Sequence, residues 1–218
     1  MQTDMTVGKP MKMLLNFTIP VFLGNVFQQL YSMADAVIVG KFVGTKGLAA
    51  VGATGTITFL IIGFLMGVTT GVTVLTSQKF GAGRMDEMRK TVGNAAILSA
   101  VIAVVMTAVS MLGMHRLLVF MHTPEDIFDG AYGYIMIICA GIFTQVLYNL
   151  VSSILRALGN SKTPLYFLIL AAGLNIVLDL VFIIFFHWGA PGAAWATVIS
   201  QGVSGVLCLI YMWKAVPE

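Results

Sequence analysis

Six long apolar stretches make up most of the chain, and short segments rich in glycine, proline or charged residues separate them. An α-helix needs about 20 mostly apolar residues to cross a bilayer, and each stretch is long enough. The pattern predicts an all-α membrane protein that forms a single six-helix transmembrane lobe over residues 1–218. The approximate predicted spans are Leu14–Gly40, Thr54–Ser77, Val92–Met114, Ala131–Leu155, Leu165–Phe186 and Ala193–Trp213.

Composition agrees with a protein whose main partner is the lipid bilayer. Hydrophobic residues make up 58% of the chain and charged residues only 10%, against roughly 25% charged residues in soluble domains. A net charge of +3 without a basic tract gives no indication of a nucleic-acid partner. No nucleotide-binding, nucleophile or metal-ligand motif is present, so we expect neither an enzyme nor a cofactor.

The distribution of basic residues predicts the orientation, because cytoplasmic loops carry the excess of lysine and arginine. Three basic residues fall on one side of the predicted spans, namely Lys41, Lys46 and Arg116. Nine fall on the other side, namely Lys9, Lys12, Lys79, Arg84, Arg89, Lys90, Arg156, Lys162 and Lys214. A multi-pass protein of the plasma membrane with both termini in the cytoplasm is therefore expected.

Two acids, Asp35 and Asp179, lie inside apolar spans that contain no lysine or arginine. A charge at the centre of a bilayer costs about 2.5–3.5 kcal/mol even on insertion scales, so intramembrane acids indicate function by default. Asp35 precedes Lys41 by six residues and Asp179 precedes His187 by eight. These spacings place them about 9 and about 12 Å from the outer ends of their spans.

Two further oxygen-bearing side chains share this depth. Asn175 lies one turn before Asp179, and Thr197 lies five residues after Gly192 at the outer start of the sixth span. Carboxylate, amide and hydroxyl oxygens suit a hard cation such as Na⁺. Together with Asp35 they predict a proton or Na⁺ site. The alternative is that the acids are independent structural groups, hydrogen-bonded to neighbouring hydroxyls.

One face of the first span is polar and small. It carries Gly24, Gln28, Tyr31 and Asp35 at helical spacing. The face is either the wall of a substrate cavity or a surface for interhelical hydrogen bonds. Tyr134 and Asn149 of the fourth span are weaker cavity candidates of the same kind.

Two backbone features stand out in the first two spans. Pro20 is either a hinge or a tolerated bend, since proline removes one helical hydrogen bond. Gly63, Gly67 and Gly71 form overlapping GxxxG steps, which predict close approach of a neighbouring helix.

Four segments together carry a resemblance to a known family. They are the first span with Asn16, Pro20, Asn25, Gln28, Gln29, Tyr31, Asp35 and Gly40, then Gln78–Arg84, then Arg156–Pro164, and last Leu174–Asp179 with Gly192–Ala194 and Thr197. In this combination the chain resembles the N-terminal six-helix lobe of a prokaryotic multidrug and toxic compound extrusion (MATE) transporter.

The resemblance implies an antiporter of the bacterial inner membrane that exports drugs or organic cations in exchange for H⁺ or Na⁺. The positions that match the family's coupling-ion cluster are Asp35, Asn175, Asp179 and Thr197. The positions that match polar residues around its cavity are Gln28, Tyr31, Tyr134 and Asn149. Members of the family have twelve helices in two lobes, so we expect a fragment whose partner is a second lobe, either a missing C-terminal half or a second copy.

Two other functions remain open at this point. A lipid-linked precursor flippase or polysaccharide exporter of the same superfamily is expected to line its cavity with arginine or lysine. Only Arg156, at the cytoplasmic edge, is a candidate for that role. A membrane scaffold without transport activity would carry its acids incidentally.

Overall fold

A computed structural model describes residues 10–215, and this part of the chain is almost entirely helical. Seven α-helices and one short π-helix follow one another there, and no strand occurs among these residues. The bounds are α1 Pro10–Phe42, α2 Thr45–Gly81, α3 Met85–Phe120, α4 Glu125–Ala140, α5 Ile142–Ala157, α6 Lys162–Leu180, the π-helix Val181–Phe185, and α7 Gly189–Ala215. Lys9 and the two ends of the predicted 1–218 lobe lie outside the described residues.

The structure confirms the predicted all-α membrane fold. Five helices are long and apolar enough to cross a membrane, and the bent pair of α4 and α5 makes a sixth if it forms one span. The helices extend beyond the predicted spans, as α2 does from Thr45 to Gly81. Hydropathy identifies the part of a helix that fits the hydrocarbon core, whereas the backbone hydrogen bonds continue into the polar ends.

The predicted fourth span is not one continuous helix. It is divided at Gly141 into α4 and α5, whose axes are bent by 47°. A Cβ added at Gly141 would lie only 2.2 Å from Val198 Cγ2 of α7. Glycine therefore lets α7 approach the break. Thr144 supports the start of α5, because its hydroxyl donates a 2.8 Å hydrogen bond to the Gly141 carbonyl.

We expect Gly141→Ala to lower the stability of the bundle by about 1–3 kcal/mol, the usual cost of overpacking a tight site. The matched control is Gly113→Ala in α3, where an added Cβ meets nothing within 4 Å. Thermal unfolding in detergent measures the stability of each purified variant against that of the parent protein. Equal melting temperatures for the two variants would show that Val198 can move aside for the added methyl group without loss of stability.

The predicted fifth span changes its helix type near its outer end. α6 ends at Leu180, and Val181–Phe185 continues as a π-helix. The backbone N–H of Phe186 donates to the Val181 carbonyl, five residues back, at 3.1 Å. The change begins two residues after Asp179. Such wide turns are common at functional sites.

α7 lies at the centre of the bundle, where it packs against α4, α5 and α6. Small residues of α7 allow this close packing. Those that are almost completely buried are Ala193, Ala194, Ala196, Ser200 and Ser204. α1 packs mainly on α6, and α2 packs on α3, α4 and α5. Among residues 10–215, the backbones of α3 and α7 do not approach each other closely, although both helices pack on α5.

The close helix approach that the GxxxG stripe of α2 predicts does not occur within residues 10–215. Gly63, Gly67 and Gly71 are exposed, and a Cβ added at any of them would meet nothing within 4 Å. No helix of the described bundle packs closely on this face. The stripe therefore lies on an outer surface of the bundle rather than in its core.

Candidate functional site

Asp35 of α1 and Asp179 of α6 meet inside the bundle. Asp179 is completely buried and Asp35 is only 8% exposed. Their carboxyl groups are close enough for one to donate a hydrogen bond to the other when it carries a proton. Among the described residues, the Oδ1 atom of each has no hydrogen-bond partner. Two carboxylates at such close range away from bulk water repel each other, so the pair requires a proton or a cation.

Asn175 and Thr197 join the acid pair to the central helix. Asn175 is completely buried, and both ends of its amide are satisfied when Nδ2 donates to Asp179 Oδ2 at 3.1 Å and Oδ1 accepts from the Thr197 N–H at 3.3 Å. The Tyr31 hydroxyl donates to Thr197 Oγ1 at 3.1 Å. The network connects α1, α6 and α7 at the level of the two acids.

A cavity of about 760 Å³ lies beside this network. Polar side chains from α1, α2, α4, α5 and α7 line it. They are Asn25, Gln28, Gln29, Tyr31, Ser32, Thr58, Tyr134, Gln145, Tyr148, Asn149, Thr197 and Gln201. Asp35 is the one charged side chain in the lining formed by the described residues. The cavity therefore offers many hydrogen-bonding groups around a single site of negative charge.

The predicted residues take three different places. The cavity candidates Gln28, Tyr31, Tyr134 and Asn149 all line the cavity, and so do Asp35 and Thr197. Asn175 and Asp179 lie behind them, outside the lining. Pro20 is also outside the lining, within an unbroken α1 and about 22 Å along the helix from Asp35.

Several cavity residues were not predicted, and Gln145 and Gln201 are the clearest. Both are buried amides within apolar stretches. Gln145 lies one turn from Asn149, and Gln201 lies one turn from Thr197, so each extends a predicted polar position along the same helix face. A search for polar residues one turn from each candidate would have found them.

The oxygens at the acid pair belong to the two carboxylates, because the Asn175 amide faces Asp179 through its Nδ2. Among residues 10–215, no group of three or more histidine, cysteine, aspartate or glutamate residues comes together as a metal cluster. Two neighbouring carboxylates suit a proton or a hard monovalent cation rather than a transition metal.

The MatE family model matches residues 20–181, which is more than half of the chain. The chain belongs to the MatE family. The matched region contains Asp35, Asn175 and Asp179 and ends before Thr197. The family consists of transporters and not of enzymes, which confirms the resemblance and the expectation that the chain is not an enzyme.

Three similar proteins show how much of a longer protein the chain covers. It is 33% identical over 211 residues to probable multidrug resistance protein YpnP of Bacillus subtilis, which is 97% of this chain and 47% of that protein. It is 27% identical to an FAD transporter of Shewanella oneidensis, over 91% of this chain and 46% of that protein. An outward-facing structure of a multidrug resistance MATE family transporter of the MOP superfamily matches with a TM-score of 0.89 and 30% identity, over 96% of this chain and 46% of that one. The chain thus spans about half the length of these relatives.

Proposed function

We propose that the chain is the N-terminal lobe of a secondary active antiporter that exports drugs or organic cations in exchange for H⁺ or Na⁺. The observation that carries the proposal is the position of Asp35, which is both the one charge in the described cavity lining and the neighbour of buried Asp179. Relatives named as multidrug resistance proteins support the same class of substrate.

The shared position of Asp35 gives a simple mechanism of exchange. A cationic drug in the cavity is attracted by an ionised Asp35, whereas a proton or Na⁺ at the acid pair neutralises that carboxylate. Binding of the ion therefore weakens binding of the drug, and binding of the drug favours release of the ion. The two cargoes compete for one negative charge, and this competition couples the release of one to the binding of the other.

A second six-helix lobe completes the transporter in this proposal. The exposed glycines of α2 lie one turn apart, and Gly63 also borders the cavity. Small residues allow close approach of another helix, so this face is suited to the second lobe. That lobe is either a C-terminal half or a second copy of the chain, and together the lobes would enclose the cavity.

The flippase and polysaccharide-exporter alternative has less support. Their substrates carry phosphate or acidic groups, and so does FAD, the substrate named for one relative. No lysine or arginine lines the described cavity, and Arg156 is not in the lining. A cavity with one carboxylate and no basic side chain favours a cation over an anion. A scaffold without transport activity would not require the connection between the acid pair and the cavity.

Efflux from cells tests the proposal directly. The chain would be expressed together with its second lobe in a bacterium that lacks its own efflux pumps, and a cationic and an anionic fluorescent dye would be compared. We expect export of the cationic dye, driven by an imposed H⁺ or Na⁺ gradient in everted vesicles. Export of the anionic dye alone would favour the alternative, and export of neither would favour a scaffold.

The proposed orientation, with both termini in the cytoplasm of a bacterial cell, has a matched test. Asp86 and Glu125 are both exposed acids in the first turn of a helix, α3 and α4, at predicted opposite sides of the membrane. We expect a membrane-impermeant thiol reagent to label Glu125→Cys but not Asp86→Cys in intact cells. The native Cys139 and Cys208 are completely buried and should give little background. Labelling of Asp86→Cys but not of Glu125→Cys would contradict the proposed orientation.

Pro20 is proposed as a hinge in α1, the helix that carries Asp35. Pro20 is buried and α1 continues through it, although its ring removes one backbone hydrogen bond. We expect Pro20→Ala to stiffen α1 and slow transport without changing the affinity for drug, since Pro20 lies outside the cavity. Transport rates and equilibrium binding in liposomes measure the two effects. An unchanged rate would leave Pro20 as a tolerated bend.

A further inference from the structure

Two glutamines of the cavity lining are buried but make no side-chain hydrogen bond within residues 10–215. Gln145 of α5 is 8% exposed and Gln201 of α7 is 6% exposed, and both line the cavity. Neither side-chain amide donates to or accepts from another described residue. Buried amides without a partner are rare in folded proteins because they lose their hydrogen bonds to water without replacement. The two amides are therefore candidates for contact with a ligand.

The neighbouring polar groups are already engaged inside the protein. The Asn149 amide nitrogen donates to the backbone carbonyl of Gln145 at 2.8 Å. The Tyr148 hydroxyl donates to the backbone carbonyl of Pro164 at 3.0 Å. On this side of the cavity, the side chains of Gln145 and Gln201 thus remain as buried groups that can both donate to a ligand and accept from it.

The two glutamines lie at the same level of the contact between α5 and α7. A Cβ added at Gly202, next to Gln201, would lie 3.3 Å from the Cγ2 of Thr144, next to Gln145. This close approach brings the two helices together where both amides face the cavity. A pair of side-chain amides suits an uncharged group that carries a donor and an acceptor of its own.

This level lies about two helical turns from Asp35. Tyr31, one turn before Asp35 on α1, donates to Thr197 of α7 at 3.1 Å. Gln201 lies one further turn along α7. The first and sixth spans run in opposite directions, so the two steps of four residues add to about 12 Å along the bundle. A substrate that reaches both places is elongated.

We infer that Gln145 and Gln201 form a specificity subsite that binds an uncharged amide-like group at the far end of a cationic substrate. The inference rests on the proposed cation site at Asp35. It narrows the substrates to elongated organic cations that carry a carboxamide or similar group about two helical turns from the charge. A cation with an apolar far end would remove water from both amides without replacing its hydrogen bonds, so it would bind less tightly.

Equilibrium binding of two matched dyes tests the inference. Both are coumarins with a trimethylammonium group at one end. One carries a primary carboxamide at the other end, and the second carries a methyl ester of similar size, which accepts hydrogen bonds but donates none. The purified chain, assembled with its second lobe, is titrated with each dye and followed by fluorescence polarisation. We expect the carboxamide dye to bind about tenfold more tightly, which is the contribution of one or two well-formed neutral hydrogen bonds.

Methionine variants assign this preference to the two glutamines, since methionine has a similar length and no amide. The preference should fall to about threefold in Gln145→Met or in Gln201→Met, and it should vanish in the double variant. Gln78→Met is the matched control, because Gln78 is an exposed glutamine near the end of α2 and lies outside the cavity lining. The control should keep the full preference, and melting temperatures show whether each variant is folded.

Equal affinities for the two dyes in the parent protein would overturn the subsite and leave the cation site at Asp35 intact. A folded double variant that keeps the full preference for the carboxamide would also overturn it. Binding of neither dye would contradict the proposed cation site itself, and the subsite with it.

Discussion

Replacement of Asp179 by asparagine should abolish coupled transport while leaving membrane insertion normal, and Asp35→Asn should do the same. Asparagine keeps the size and hydrogen-bonding capacity of the side chain but loses the charge that holds a proton or cation. The two acids are buried next to each other. Either replacement leaves only one carboxylate at the pair, so the pair can no longer bind and release an ion as it does with two. Dye efflux driven by an ion gradient measures the loss.

The two variants should differ in drug binding. Asp35 lines the cavity and Asp179 does not, so Asp179→Asn should still bind a cationic drug whereas Asp35→Asn should bind it weakly. Asp129→Asn is the control, because Asp129 is an exposed acid near the start of α4. Full efflux by both Asp35→Asn and Asp179→Asn would remove these residues from the coupling mechanism.

A lysine at position 201 should have the second largest effect. Gln201 is a buried amide in the cavity lining, one turn from Thr197 on α7. Two positive charges that are about 8 Å apart repel each other by roughly 2 kcal/mol at an effective dielectric constant of about 20, and 2 kcal/mol is more than tenfold in affinity. We therefore expect Gln201→Lys to lose export of cationic dyes, measured as efflux in cells and as binding to the purified protein.

Gln201→Met controls for the loss of the amide without adding a charge. It has a similar length, and we expect it to retain most of the cation export. Equal export by Gln201→Lys and the parent protein would mean that the substrate does not occupy this cavity as a cation. A gain of anionic-dye export in Gln201→Lys would show that the cavity charge selects the substrate.

The main features of the fold were predictable because a bilayer imposes simple requirements. A helix that crosses it must be apolar over about 20 residues, and this length is visible in the sequence. The acids were predictable for the same reason, since Asp35 and Asp179 stand out in apolar surroundings. Helical spacing then indicated that Gln28 and Tyr31 share the face of Asp35, and both line the same cavity.

Other features depend on contacts between distant segments and were not predictable in this way. Apolar residues lie on both sides of Gly141, so hydropathy gives no sign of the break that the approach of Val198 makes possible. The GxxxG pattern on α2 shows which face is small but not which partner covers it. The roles of Asp35, Asn175, Asp179 and Thr197 in ion coupling stay predictions until transport is measured.

The π-helix after Asp179 also bears on how sequences of the family are compared. A π-turn accommodates one more residue than an α-turn over nearly the same rise, so Val181–Phe185 can absorb a one-residue insertion or deletion. A relative that is one residue shorter here would keep both its Asp179 equivalent and its α7 in place. A one-residue alignment gap at this position would therefore indicate that the π-helix is replaced by an α-helix. The residues of the acid pair and those of α7 would still align.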